Sequence, residues 1–279
     1  MADLKEELIE YAKSIGADKI GVAEVENLKN PPQMQGFDPC DYVSDAQAVI
    51  SICLAYPSGV FGLDDKSMFT YGTSFGAIHN AMKAEIDSIG LKIVKFLESK
   101  GQVASYISPG KPYEEGGKLG GLFHSYIQKL IATLGGLGEE GVSGAFLTPE
   151  YGPKVMLAGI VTNAPLELDS PNLVNKVCKK DYECAEVCPC SAISKENYPP
   201  YNFNRNRCLW ATTGTLRATE VDEPDPEWAE ARPNALKLLP QYMDKHIKLR
   251  AIVDWDASVG DFPKCTRCIS VCPAKGVIE

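Results

Sequence analysis

The sequence lacks several things, and each absence narrows what the chain can be. No apolar run is long enough to cross a bilayer: the longest, Ala46 to Tyr56, falls well short of the roughly 20 residues a membrane helix needs. The first residues, Met1-Ala-Asp-Leu-Lys-Glu-Glu-Leu8, make an acidic amphipathic helix pattern with no twin arginine and no apolar signal core, so a cytoplasmic protein is expected. A basic excess is missing too. Lys and Arg number 28 against 37 Asp and Glu, a net charge of −9, which argues against a nucleic-acid partner or an anionic membrane and would suit a cationic partner. Histidine is scarce, with only His79, His124 and His246. There is no low-complexity tract and no repeat beyond two cysteine runs.

Cysteine is what the chain has in quantity, ten residues in all. One run is Cys178-Lys-Lys-Asp181-Tyr-Glu-Cys184-Ala-Glu-Val-Cys188-Pro189, the other Cys265-Thr-Arg-Cys268-Ile-Ser-Val-Cys272-Pro273. The bacterial ferredoxin frame is C-x2-C-x2-C-x3-C-P, whose fourth Cys serves the other cluster. The first run fits it with Asp181 in place of the second Cys. The second run fits from the second Cys onward; its missing first Cys falls at Phe262, and Cys208 is the nearby unassigned thiol that replaces it. Two cubane 4Fe–4S clusters are therefore expected. Cluster A takes Cys178, Asp181, Cys184 and, by exchange, Cys272; cluster B takes Cys208, Cys265, Cys268 and Cys188. A pair of zinc ribbons is the rival, but such sites pair two short Cys hooks and have no use for the x3-C-P ending. With seven of its cysteines at cluster spacing, the chain fits a reducing compartment better than a disulfide framework.

Asp181 has two readings. It is an oxygen ligand that leaves one iron labile, so that cluster A passes between four-iron and three-iron forms, or it is a solvated residue beside a three-iron cluster. Cys190 is a further candidate for the vacancy, against a plain packing role. Cys53 lies in an apolar strand and belongs to the core; Cys40 follows Pro39 in a loop.

Upstream of the cysteines, helical and strand patterns interleave, as in an α/β or α+β layer domain. Leu4, Leu8, Ile9 and Tyr11 recur at helical spacing before Gly16. Strands are expected at Lys19–Val25, Ala46–Tyr56, Gln102–Ile107 and Val155–Thr162, and Ala46–Tyr56, apolar on both faces, suits the centre of a sheet. Helices are expected at Phe75–Lys100 and Leu122–Leu134, the second followed by a glycine-rich loop from Gly135 to Gly144. That loop resembles a phosphate cradle but lacks the Lys-Ser/Thr ending of a P-loop. Asp169 to Asn175 reads as a polar linker, which sets domains at 1–168 and 169–279. An acidic, Pro-rich stretch at Asp222–Pro226 and a helix at Pro233–Leu249 follow.

The segments VCKKDYECAEVCPCSAIS, NRNRCLW and CTRCISVCPAKGVIE, with LGGLGEEGVSGAFLTPEYGPKVMLAGIVTNAPLELDSP and AQAVISICLAYP before them, resemble the corrinoid-dependent reductive dehalogenases and their relative epoxyqueuosine reductase. The resemblance implies an α+β protein: a nitroreductase-like, corrinoid-binding α/β layer domain followed by a bacterial-ferredoxin-like two-cluster domain. It implies base-off cobalamin, with Thr148, Glu150, Tyr151 and Gly152 near the corrin, partly through backbone; Gly152 would let the chain approach a flat macrocycle. Two departures stand out. Val142 aligns where the dehalogenases carry an Arg, and Leu122 where epoxyqueuosine reductase carries a catalytic Asp, with His124 two residues on. His124, Tyr71 and Tyr106 are the candidates for proton transfer, against a packed role for each. His79 and His246 are expected to be structural.

Three functions are open on these residues. The first is a cytoplasmic, anaerobic reductase that passes electrons through two clusters to a corrinoid cobalt. The second is an electron-delivery protein that reactivates a partner corrinoid protein. The third keeps the nitroreductase-like fold and binds FMN. Expected partners are a low-potential donor of ferredoxin or flavodoxin type and a corrinoid protein, with no nucleic acid and no membrane. Nitroreductase-like domains commonly dimerise, so a homodimer is also among the expectations.

Overall fold

The computed structural model describes residues 4–31, 36–63, 68–109, 120–196, 203–212, 216 and 265–274; side chains 68–69, 120–125, 205–206 and 209 lie outside that description. The stretches expected at Asp222–Pro226 and Pro233–Leu249, together with His246, lie outside the described residues. Strand β2, Ala48–Ala55, is buried at every position but its last. Its sequence AVISICLA offers apolar groups to both faces, so it can only sit inside a sheet covered on both sides. It does: the sheet order is β1 (Lys19–Glu24), β2, β6 (Val155–Thr162), β3 (Ala104–Ile107), each neighbouring pair antiparallel. All four expected strands are present.

The two-residue period sorts the side chains. Ile50, Ile52, Ala158 and Ile160 point to one face. There they meet Leu8 and Ala12 of α1 (Leu4–Ser14) and Ile86, Ile89, Ile93 and Leu97 of α3 (Ala77–Ser99). Val49 and Val161 point to the other face, against Ile127 and Ile131 of α4 (Gly120–Leu134). Each such aliphatic side chain contributes about 1.5–3 kcal/mol when fully buried. These contacts fix the register of the sheet, because a slip of one residue would exchange its faces.

The expected helix from Phe75 begins two residues late. A short helix α2, Met68–Tyr71, runs into a single π turn, Gly72–Gly76, before α3. The glycine-rich loop contains a hairpin with no counterpart in the sequence pattern, β4 (Glu139–Glu140) paired with β5 (Phe146–Leu147). The expected linker is polar but not free. Asp169 accepts hydrogen bonds from Lys5 Nζ (2.8 Å) and from the Val22 amide (2.9 Å), and its own amide donates to Val22 O (2.8 Å). Its carboxylate completes the edge strand β1, which holds the chain against the sheet as it leaves for the cysteines. Three short helices follow among the described residues: α5 (Glu183–Glu186), α6 (Arg205–Thr212) and α7 (Arg267–Val271).

One end of the sheet gathers the functional segments. The C-terminus of β2 and the N-termini of β1 and β6 lie there in register, Lys19 opposite Cys53 and Cys53 opposite Leu157. Tyr56 and the turn Ser58–Gly62 leave β2 at this end, and Phe146 of the hairpin packs on Cys53 and Leu157.

Candidate redox site

The cysteines come together in two crossed groups. Cys184 is held well above the usual thiol range, to about 11, first by burial and then by the charges of Cys272, Cys178 and Asp181 around it. Cys272 is raised by burial and by Cys178, Asp181 and Glu183. The other group centres on Cys268, which retains some accessible surface although the atoms packed around it make burial the largest cause of its raised pKa. The charges that add to it are Cys208, Cys265 and Cys188, then Cys184. Cys272, Cys178 and Asp181 thus act on Cys184, while Cys208, Cys265, Cys188 and also Cys184 act on Cys268. None of the ten cysteines forms a disulfide.

This donor chemistry fits iron–sulfur clusters. Thiols crowded together push one another's pKa up, a burden that a bound cation removes by taking each as thiolate. A backbone amide already points at sulfur: Ala192 N–H donates to Cys188 Sγ (3.2 Å). Such bonds stabilise thiolate and tune cluster potential. Among the described residues no three His, Cys, Asp or Glu converge on one metal-ion position.

The remaining thiols behave as packed residues. Cys53 is fully buried, which pushes its thiol up to about 12. Cys40 packs on the α4 side of the core. Cys190 is fully buried, and its carbonyl accepts from Arg207 Nη1 (3.3 Å).

Two parts of the sheet domain grip the cysteine segments. The first is the hairpin. Leu147 packs with Val177, Ala274, Cys178 and Cys272. The loop's glycines are explained by this approach and not by a phosphate. A Cβ on Gly138 would lie 1.9 Å from Leu147 O, on Gly141 2.7 Å from Leu147 Cδ1, and on Gly144 2.8 Å from Phe203 Cδ1. Lys129 of α4 anchors the hairpin through Glu140 Oε1 (2.6 Å) and Gly144 O (2.8 Å). The second grip is the π turn. It places Tyr71, 1% exposed, so that its hydroxyl donates to Thr266 Oγ1 (3.1 Å), one residue from Cys265. Ser270 donates to Phe61 O (2.6 Å) beside it.

Tyr71 begins an aromatic stack. Phe75 lies 4.9 Å from it, Tyr56 lies 6.1 Å from Phe75, and Tyr56 Oη meets His79 Nδ1 at 2.7 Å. Tyr106 is elsewhere. Its ring lies against Gly90 of α3, its hydroxyl donates to Asp87 Oδ1 (2.8 Å), and burial followed by that hydrogen bond raises its pKa far above the phenol range. The structure therefore places Tyr71 next to a thiol set and commits Tyr106 to α3. His124 is on the first turns of α4, with its side chain outside the described residues.

Thr148 to Gly152 form a closed turn. Thr148 and Gly152 exchange backbone hydrogen bonds (3.0 and 2.9 Å), Thr148 Oγ1 accepts from the Tyr151 amide (3.0 Å), and Gly152 adopts φ +55°. Glu150 pairs with Lys19 at 2.5 Å. Since the backbone groups of Thr148 and Gly152 are spent on each other, a ligand at this turn would be met by the Tyr151 and Glu150 side chains.

Sequence reading missed Glu139, Lys129 and Thr266, whose roles come from partners far along the chain. The π turn also went unseen; Gly72 and Gly76 around Tyr71 and Phe75 were its only trace.

The fold and the grouped thiols define an α+β protein with cysteine sets of redox type. No family model matches the chain. Epoxyqueuosine reductase of Bacillus subtilis is 29% identical over 240 residues, covering 76% of this chain and 56% of that protein. A solved structure of the B. subtilis enzyme superposes with a TM-score of 0.54 at 23% identity, over 98% of this chain and 66% of that one. Tetrachloroethene reductive dehalogenase of Dehalobacter restrictus is 32% identical over 106 residues, 30% of this chain and 19% of that protein. The structure of a reductive dehalogenase described with a mechanism for B12-dependent dehalogenation gives a TM-score of 0.55 at 18% identity, over 95% of this chain and 37% of that one. The chain is similar in sequence to epoxyqueuosine reductases and, over a shorter stretch, to a reductive dehalogenase, and it shares their fold. It spans about half the length of the curated relatives it matches. Among the described residues no helix is long and apolar enough to cross a membrane.

Proposed function

We propose that this protein is a reductase that takes electrons through two cubane iron–sulfur clusters and delivers them to a corrinoid cobalt. The observation that carries the reading is the crossing of the thiol sets, in which Cys272 joins Cys178 and Cys184 while Cys188 joins Cys268. Two clusters sharing each other's cysteines need that arrangement, and two separate hooks do not. Cys178, Asp181, Cys184 and Cys272 would hold one cluster, and Cys188, Cys208, Cys265 and Cys268 the other. The clusters supply one-electron transfer at potentials set by charge and by hydrogen bonds to sulfur. A corrinoid supplies a cobalt that can be reduced to a nucleophile, the hard chemistry that the chain's own groups cannot perform.

The chain's residues hold and shield. The amide of Ala192 fixes the orientation of the Cys188 sulfur. Tyr71 donates from Oη to Thr266 Oγ1 and steadies the Cys265–Cys268 loop. Phe75, Phe61 and Val60 keep water from that contact. The nitroreductase-like unit at 1–168, the ferredoxin-like unit at 169–279, a cytoplasmic setting, a low-potential ferredoxin- or flavodoxin-type donor and a homodimer all belong to this reading. Delivery of electrons to a partner corrinoid protein is the second reading, favoured by Val142 in the hairpin loop, where the dehalogenase pattern carries an Arg.

Anaerobic protein should hold about seven to eight irons per chain, by the ligand count. Titrated with cob(II)alamin, it should shift the cofactor spectrum to the base-off form. Iron near one or two with zinc present would sink the cluster assignment. Tight FMN binding with no corrinoid shift would replace this reading with a flavin reductase, and clusters that leave both cofactors unbound would favour electron delivery.

A further inference from the structure

Among the described residues Glu139 is the only charged side chain that is buried, at 4% exposure. Three backbone amides, and not a Lys or Arg, hold its carboxylate. Oε1 accepts from Val177 (2.7 Å) and Cys178 (2.6 Å), and Oε2 accepts from Asn175. Taking a carboxylate out of water costs several kcal/mol, and charge-assisted amide bonds offset part of that. The chain is shaped to provide them. Asn175 takes a left-handed φ of +61°, which lets the amides on either side of Lys176 turn inward as a nest for an anion. The anion is supplied by the protein itself, from a hairpin that lies across the sheet domain.

The last of those amides belongs to Cys178, the first residue of its thiol set. The same hairpin also lies on the sulfur side: a Cβ on Gly141 would meet Cys178 Sγ at 3.5 Å. Glu139 therefore fixes the backbone of a cluster ligand and places a negative charge beside it, in surroundings where burial weakens screening. Adding an electron to a cluster adds negative charge, which a fixed negative neighbour disfavours.

We infer that Glu139 is a positioning residue for the cluster held at Cys178 and that its charge lowers the potential of that cluster. The inference rests on the reading of Cys178, Asp181, Cys184 and Cys272 as one cluster site. It is tested on the full chain, purified anaerobically, by iron analysis and a redox titration followed by electron paramagnetic resonance. Glu139→Gln removes the charge at nearly constant shape; Glu139→Asp keeps the charge with a shorter reach. In Glu139→Gln one of the two reduction waves should move upward, its reduced-to-oxidised ratio at a fixed poise rising about tenfold, which is about 59 mV for one electron. The other wave should stay in place, and Glu139→Asp should lie closer to the parent. Loss of one wave alone in Glu139→Gln also supports the inference, as failed positioning of one ligand. With both waves present, no upward movement of either or equal movement of both overturns it, and so does loss of both clusters together. A parent protein without iron would instead remove the cluster reading beneath it.

Discussion

Asp181 stands where a thiol would complete the first set, and its backbone is built around that position. Lys180 and Tyr182, on either side of it, both take left-handed φ values of +55° and +64°. For non-glycine residues that conformation costs roughly 1–2 kcal/mol each. One carboxylate oxygen accepts from the Glu183 amide at 3.1 Å, which closes a short side-chain turn and leaves the other oxygen uncommitted by that bond. A carboxylate is a harder ligand than thiolate and holds iron in such a cluster less firmly. Mild oxidation should therefore convert the Asp181-bearing cluster to a three-iron form, and Asp181→Cys should suppress that conversion. The check is the three-iron resonance after oxidation; equal signals in parent and variant would show that Asp181 is not the labile corner. A ligand frame can be proposed from the sequence because neighbouring ligands on a tight loop are fixed by local spacing. Glu139 was not legible, since its partners lie 36 to 39 residues away and nothing local marks a Glu in a glycine-rich loop as buried.

At the scale of elements, strands with clear periodicity could be read and the hairpin could not. β2 and β6 are apolar at nearly every position, α1, α3 and α4 keep a helical period, and their boundaries fall within a few residues of expectation. β4 and β5 are two residues each, too short for alternation to show, and they exist because α4 anchors them through Lys129. Their glycines suggested a ligand loop, whereas the structure uses them for close backbone contact. Gly138→Ala must displace the Leu147 carbonyl, and overpacking of this kind costs about 1–3 kcal/mol or more. Gly59→Ala, with nothing within 4 Å of its added Cβ, should stay within about 0.5 kcal/mol of the parent. Denaturant midpoints measured with iron content held equal would decide. Equal midpoints for the two variants would mean that the hairpin does not depend on this contact.

The whole molecule is tied by contacts between residues far apart in the chain. Tyr71 reaches Thr266 across 195 residues, and Ser270 reaches Phe61 across 209. Tyr71→Phe removes the hydroxyl and leaves the 4%-exposed Thr266 without that partner, which should cost about 1 kcal/mol, or about fivefold in an unfolding equilibrium. A lower denaturation midpoint at unchanged iron content is the expected result; an unchanged midpoint would mean the bond does not help to join the two regions. Under the proposed ligand sets, the exchange of Cys188 and Cys272 would also impose an order on biosynthesis. Ribosomes deliver the chain from the N-terminus, so the sheet and its hairpin can form while the cysteine runs are still being made. Cys178, Asp181 and Cys184 then wait for Cys272, and Cys188 and Cys208 wait for Cys265 and Cys268. On those sets neither site could close before the second cysteine run emerges, since one needs Cys265 and Cys268 and the other Cys272. Iron loading would thereby be a late event, and a chain interrupted before residue 265 would be left with open, oxidation-prone thiols and no complete cluster.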